Sequence, residues 1–333
     1  MNGGWTYRHR VRADEAGRTL VGHLAADHPH SDAQAWQARI LAGEVTIDNA
    51  AATPQTVLCR GQWIAWQRPP WDEPDVPLDY GVLFEDAHLL AVAKPAGLPT
   101  MPAGGFLMHT LLSQVRLRHP GAHPVHRLGR FTSGVVLCAR TAAAAAALGR
   151  QWHTAAVEKV YLARLADNPG WDDLEVTAPI GPVPHPRLGT VHAADAAGRP
   201  AVSSFRVLER HGSTTLCEVV IATGRPHQIR IHAAWAGHPL AGDPLYVAGG
   251  RPRALDPGLP GDGGYLLHAC RLSVPHPVTG HRLDLIAPPP PALCPADARP
   301  DADGGRLPVG GSLSGGSAGC RTPRAGSVRP TGD

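Results

Sequence analysis

Residues 123–140 read HPVHRLGRFTSGVVLCAR. The first half sets His126, Arg127, Arg130 and a Thr-Ser-Gly turn directly before SGVVLCAR, whose unbroken apolar run predicts a buried strand. Downstream, TAAAAAALGRQWH is rich in the strongest helix former and predicts a helix. VEKVYLARL then predicts a strand with Lys159 and Tyr161 at i and i+2, on one face. Upstream, VLFEDAHLLAVAKPAG predicts two strands entering a loop, and LMHTLLSQVRLRH an amphipathic helix. Further strands are expected at STTLCEVVIAT and RLDLIAP, and LLHACRLSVPHPVTG reads as a strand followed by a tight turn. HQIRIH alternates apolar and polar residues like a strand, then enters the Gly-rich GHPLAGDPLY. Strands and helices in this order predict an α+β fold with a mixed, largely antiparallel sheet over 79–289.

The flanks differ. Over 1–68, TLVGHLAADHP and AQAWQARILAG have helical apolar spacing, and Gly43 ends the second helix. EVTIDN reads as a short strand into a turn, and VLCRGQWIAW as a strand pair. Residues 69–78 follow as a linker; RPPWDEPDVP, with four prolines in ten residues, excludes a helix and runs extended. From 290 to 333 the composition turns to Pro, Gly, Ser, Ala and Arg. Such a segment buries too little apolar surface to offset its ordering entropy, and a disordered tail is expected.

Bulk properties exclude several classes. No stretch reaches about 18 consecutive apolar residues, so no membrane helix is expected. MNGGWTYRHRVRADEAG lacks an apolar core for secretion, and a cytoplasmic location follows. The six cysteines are scattered without CxxC spacing, and the 19 histidines fall outside any HExxH pattern, so neither a disulfide framework nor a metal is expected. No GxGxxG or GxxxxGK[ST] phosphate loop is present, and no cofactor is called for. Net charge is +3 with a pI near 8.6, which permits nucleic-acid binding without demanding it. Of 31 cations only Lys94 and Lys159 are lysine, which marks both positions.

Five segments in order, KPAGLPT, HRLGRFTSG, VEKVYLA, TGRPHQIRIH with GHPLAGDPLY, and LHACRLSVPHPVTG, together resemble the RluA-type RNA pseudouridine synthases over roughly 80–289. Both lysines fall inside these segments. ILAGEVTIDNA and RGQWI are similar to a degenerate S4-type RNA-binding module, although Asp32 stands where a basic residue is common and 1–68 holds seven Arg against six acids.

The resemblance implies a pseudouridine-synthase sheet with flanking helices, and uridine-to-pseudouridine isomerisation in rRNA or tRNA without a cofactor. The N1–C1′ bond breaks and the base is rejoined through C5. By position, Tyr161 matches the tyrosine that packs on the base, and Arg230 the arginine that pairs with the catalytic aspartate. Ile229 would lie beneath the base. Lys94, His126, Arg127, Arg130 and Arg225 would bind RNA or support the loop. The aspartate itself is replaced by Gly129, and the residue two further on is Phe131, so HRLGRFTSG holds no carboxylate. A glycine offers neither nucleophile nor base.

Two readings follow: an active isomerase with a relocated acid, Asp243 of GDPLY being one candidate, or a silent RNA-binding protein or chaperone that keeps the pocket. A monomer is the expectation. In either case an Arg230 buried without its aspartate needs another carboxylate, water or a bound anion.

Overall fold

In the computed structural model, which describes residues 1–295 apart from Pro29, Asp256, Pro257 and Pro260, the chain opens on a strand that the sequence pattern did not announce. β1 (Trp5–Arg10) pairs antiparallel with the Trp-rich segment 63–68, whose Ile64 and Trp66 pack on the module's core while β1 itself stays largely exposed. Thr19 caps α1 (Leu20–Asp27) by accepting from Gly22 N, and Asp32 caps α2 (Ala33–Leu41) by accepting from Ala35 N. The acid that weakened the S4-like pattern is therefore a helix cap. β2 (Val45–Ile47) and β3 (Ala50–Ala51) form a hairpin about Asp48 and Asn49, both with positive φ as such a two-residue turn requires. β4 (Trp63–Arg68) completes a sheet of order β1-β4-β2-β3. VLCRGQWIAW thus supplies one strand and not two. Leu20, Leu24, Trp36, Ile40, Leu58 and Ile64 form the core of this part.

Residues 69–80 hold no helix or strand, yet they are fastened along their length. Glu73 accepts from the amides of Leu107, Met108 and His109 and from Asn2 Nδ2, at 2.7–2.9 Å. Trp71 Nε1 donates to Gly105 O at 2.7 Å.

β5 (Gly81–Glu85) and β6 (Leu89–Lys94) are the expected strand pair, and α3 (Leu111–Arg118) the expected helix, capped by Thr110. β7 (His123–Pro124), β8 (Ser133–Ala139), α4 (Ala142–Gln151) and β9 (Glu158–Ala166) follow. β10 (Asp173–Val176), the hairpin β11 (Ile180–His185) and β12 (Gly189–Ala194), β13 (Ser203–His211) and β14 (Thr214–Ile221) come next. Then come α5 (Gln228–Trp235), the short pair β15 (Tyr246–Val247) and β16 (Arg251–Pro252), β17 (Leu267–Pro275) and β18 (Arg282–Ile286). Among the described residues ten strands join one sheet, of order β10-β13-β14-β9-β17-β8-β6-β5, with β18 on β17 and β7 on β8. Only β17 and β8 run parallel in it. The architecture is α+β with a mixed, largely antiparallel sheet.

HQIRIH is helical, lying in α5, and corrects the strand expected there. Period-2 alternation signals a strand only when the polar residues face water. Here Arg230 and His232 are as buried as Ile229 and Ile231, each with its own polar partners, so alternation carries no face information. No side chain caps α5, and Gln228, its first residue, braces the turn before it. It accepts from Thr223 Oγ1 and Arg225 N and donates to Val202 O and Ser203 Oγ, fixing the turn that enters α5.

The end of the fold also moves. Pro291–Leu293 form a 3-10 turn, Leu293 is buried, and Ala292 O accepts from Arg164 Nε at 2.9 Å. Residues 290–295 therefore pack against β9 instead of belonging to a free tail; the rest of the expected tail, 296–333, lies outside the described residues. No helix among the described residues is long and apolar enough to cross a membrane.

Candidate active site

Three neighbouring strands, β9, β17 and β8, bring the marked segments together. Gly134 is what allows the parallel pairing of β17 with β8. Its φ is +112°, and a Cβ there would stand 2.2 Å from Ala269 O, so only glycine fits. The loop 125–132 leads into this crossing and places Gly129 opposite Tyr161 of β9 and the first turn of α5.

These residues enclose a cavity of about 100 Å³, lined among others by Gly129, Tyr161, Arg225, Ile229, Arg230 and Tyr265. Arg127 is exposed at the rim, and Arg225 is half-buried with Nε donating to Pro200 O at 3.0 Å. No carboxylate lines the cavity among the described residues. Burial, with a smaller contribution from Cys270, pushes the Tyr161 hydroxyl up to about 12, so it is a neutral phenol at physiological pH. His227 also lines the cavity. Burial and then the Arg230 charge push it down to about 3, and its Nδ1 lies 2.8 Å from Tyr246 Oη.

Arg230 does have a carboxylate partner. Its Nε and one terminal nitrogen donate to the two oxygens of Asp243, each at 2.7 Å, and both side chains are almost fully buried. Burial works against the guanidinium charge, but Asp243 outweighs it and the pKa is raised. Asp243 Oδ1 also accepts from Leu245 N and Tyr246 N. Its oxygens are thus committed to the arginine and the turn, which removes Asp243 as a relocated acid.

The remaining expected residues act behind the cavity. Lys94 is buried and donates to Pro95 O, Leu98 O and Arg130 O at 2.7–2.9 Å. Burial pushes its pKa down to about 7, yet three carbonyl acceptors match the three N–H bonds of the charged form. Arg130 Nε returns a bond to Gly97 O at 3.0 Å, and its guanidinium lies between Phe106 and Phe131. Together they lace the KPAG loop to the loop bearing Gly129. His126 faces away from the cavity. It stacks on Trp152 and accepts from Leu137 N at 3.0 Å, and burial and then the Lys159 charge push it down to about 3. Lys159 donates to Trp152 O.

Tyr265 escaped the sequence reading. Its ring lies 4.2 Å from the Arg230 guanidinium, and its hydroxyl is 3.4 Å from Thr132 Oγ1. The signal was the PGDGGY segment before β17. A Cβ at Gly263 would stand 2.6 Å from the Phe131 ring, and one at Gly264 2.6 Å from Gly242 O, so the two glycines let the backbone pass close enough to deliver Tyr265.

Elsewhere, Tyr7, His28, His30, Trp36, Arg39 and Trp66 line a larger cavity of about 720 Å³ on the N-terminal part. The Arg39 guanidinium lies 4.7 Å from the Trp36 ring and 4.8 Å from Trp66, and Tyr7 stacks on Trp66 at 5.3 Å. Beside it His9, Glu15 and His23 bring ligand-type atoms within 4.8 Å of one another. Arg12 already occupies that carboxylate at 2.6 Å, so the cluster holds a cation of its own.

Comparison with known proteins agrees with this architecture. Residues 88–235 match the family model described as RNA pseudouridylate synthase. An uncharacterized RNA pseudouridine synthase of Synechocystis is 42% identical over 266 residues, covering 79% of this chain and 91% of that protein. RNA pseudouridine synthase 5 of Arabidopsis thaliana is 35% identical, covering 88% and 95%. Ribosomal large subunit pseudouridine synthase D of Pseudomonas aeruginosa is 33% identical, covering 81% and 87%. The solved structure of human RNA Pseudouridylate Synthase Domain Containing 1 shares the fold, with TM-score 0.52 at 24% identity over 67% of this chain and 89% of that one. The chain belongs to the RNA pseudouridine synthase family, of the RluA-like type.

Proposed function

We propose that this protein isomerises uridine to pseudouridine in a structured RNA, with Gly129 in place of the usual aspartate. The observation that supports this best is the retained cavity: Tyr161 and Ile229 flank space for one ring, with Arg230 held beside it by Asp243. A uridine must leave its stack to enter, at a cost of a few kcal/mol. Arg127 and Arg225 at the rim supply the phosphate contacts that offset it. Tyr161 and Ile229 sandwich the base, and the neutral Tyr161 phenol serves as packing surface and hydrogen-bond donor. The part built on residues 1–68 contacts the same RNA through its arginine-lined aromatic cavity, and relatives named for the large ribosomal subunit favour rRNA over tRNA.

The second reading, a silent RNA-binding protein, is favoured by one observation: the cavity is lined by no carboxylate among the described residues. Tritium release from [5-³H]uridine-labelled RNA, taken from cells lacking this protein, separates the two. Release by the purified protein that falls by about 10²-fold or more in Tyr161→Phe is expected. RNA binding without release would instead establish the silent reading.

A further inference from the structure

Position 129 is glycine for a reason other than backbone freedom. Its φ lies outside the left-handed region, so any residue satisfies the main chain there. What a side chain would meet is Tyr265: a Cβ on residue 129 would stand 3.0 Å from the Tyr265 hydroxyl and 3.3 Å from Thr132 Oγ1. A side chain there is accommodated only if the Tyr265 and Thr132 oxygens give way by a few tenths of an ångström. Glycine therefore makes room for a phenol, and the phenol stands within one side chain's reach of where the acid would act.

The surroundings suit a reacting oxygen. Tyr265 lines the cavity with Tyr161, its ring faces the Arg230 guanidinium at 4.2 Å, and its only hydroxyl contact among the described residues is the 3.4 Å one to Thr132. The guanidinium is shared with Asp243, so what it offers the ring is a cation–π contact that holds the phenol in place. Gly263 and Gly264 hold the residue in this place by backbone contacts, as described above. Of the other side-chain hydroxyls lining the cavity, Tyr161 is needed against the base, and Thr132 is an alcohol, far less acidic than a phenol.

We propose that Tyr265 replaces the missing aspartate as the nucleophile at C1′ of the target uridine, an inference that rests on reading the site as a uridine isomerase. Tyrosine oxygen is an established type of covalent catalyst, at glycosidic carbons included. The Tyr265 oxygen bonds to C1′ as N1–C1′ breaks, and the bonding pair leaves with uracil as its anion. The phenolic proton passes to water. After the base turns, C5 attacks C1′ and the O–C1′ pair returns to the tyrosine oxygen. That oxygen takes the C5 proton, and N1 takes one from water. Atoms and charge balance to a net isomerisation.

The test compares tritium release by the wild type, Tyr265→Phe, Gly129→Asp and the double variant Gly129→Asp/Tyr265→Phe. Thermal melting and RNA affinity are measured on each. Phenylalanine removes one weakly bonded oxygen, so Tyr265→Phe is expected to fold and to bind RNA within about twofold of the wild type while kcat falls about 10³-fold. Gly129→Asp alone is expected to lose activity through the clash, and the double variant to recover part of it. Wild-type turnover retained in Tyr265→Phe overturns the proposal and leaves the isomerase reading standing. An inert wild type overturns both, and activity in Gly129→Asp alone would then mark Tyr265 as mere filling.

Discussion

The Arg230–Asp243 pair concentrates much of the local energetics in two side chains. Both are almost wholly excluded from water, so neither charge is tolerable without the other. Arg230→Met leaves Asp243 buried with two backbone amides as its remaining donors. A loss of about 3–5 kcal/mol in unfolding free energy is expected, measured by urea denaturation. Asp243→Asn keeps two carbonyl-type lone pairs for Leu245 and Tyr246 but strands the guanidinium, and is expected to destabilise comparably. If either variant unfolded at the wild-type midpoint, the pair would not be what ties the GDPLY turn to α5. The sequence singled out Arg230, and the need for a substitute partner followed from Gly129 alone. Which carboxylate met that need is a matter of where the GDPLY turn packs, 13 residues along and in a different element.

At the level of elements, the linker behaves unlike a tether. Glu73 sits where three consecutive backbone amides converge. Burial opposes its charge, but those amides and Asn2 outweigh the penalty and hold the carboxyl down to about 2. Its folded pKa thus lies below the unfolded value of 4.5, so its contribution is complete above pH 4.5 and is lost as pH falls from there towards 2. Glu73→Gln is expected to cost about 1–2 kcal/mol at pH 7, since the side chain is partly solvated. The gap between variant and wild type should narrow below pH 4.5 and close at about pH 2 in paired thermal melts. A gap independent of pH would show that the carboxylate charge is not what fastens the linker. Composition announced that residues 69–78 are neither helix nor strand. Their attachment to residues 104–109 depends on a long-range meeting of Glu73 with three free amides, which no local pattern encodes.

At the scale of the molecule, the small cavity beside Gly129 and a larger one on the N-terminal part, whose wall includes Gly104 and Gly105, both lie among the described residues. If both contact one RNA, exposed groups of the larger cavity contribute affinity without touching the chemistry. Tyr7 is 44% exposed and stacks on Trp66, so Tyr7→Ala should weaken RNA binding by about 1 kcal/mol with kcat at saturating RNA unchanged. Arg68→Gln should lower the slope of log affinity against log salt by about 0.7–0.9. Filter binding across a salt series reads both; unchanged affinity in the two variants would leave the N-terminal part without a role in RNA contact.

What the sequence by itself determined is the family and the α+β sheet with its strands β5, β6, β8, β9, β14 and β18, and it singled out Lys94, Tyr161, Ile229 and Arg230 as candidates. Those rest on local apolar runs and on motifs whose residue types the chemistry restricts. Tertiary structure alone decided that HQIRIH is a helix, that His126 turns away from the cavity, and that Tyr265 stands beside Gly129. The first depends on burial from every side, the second on Trp152 packing back onto the loop, and the third on segments more than 100 residues apart meeting in space, none of which a one-dimensional pattern records.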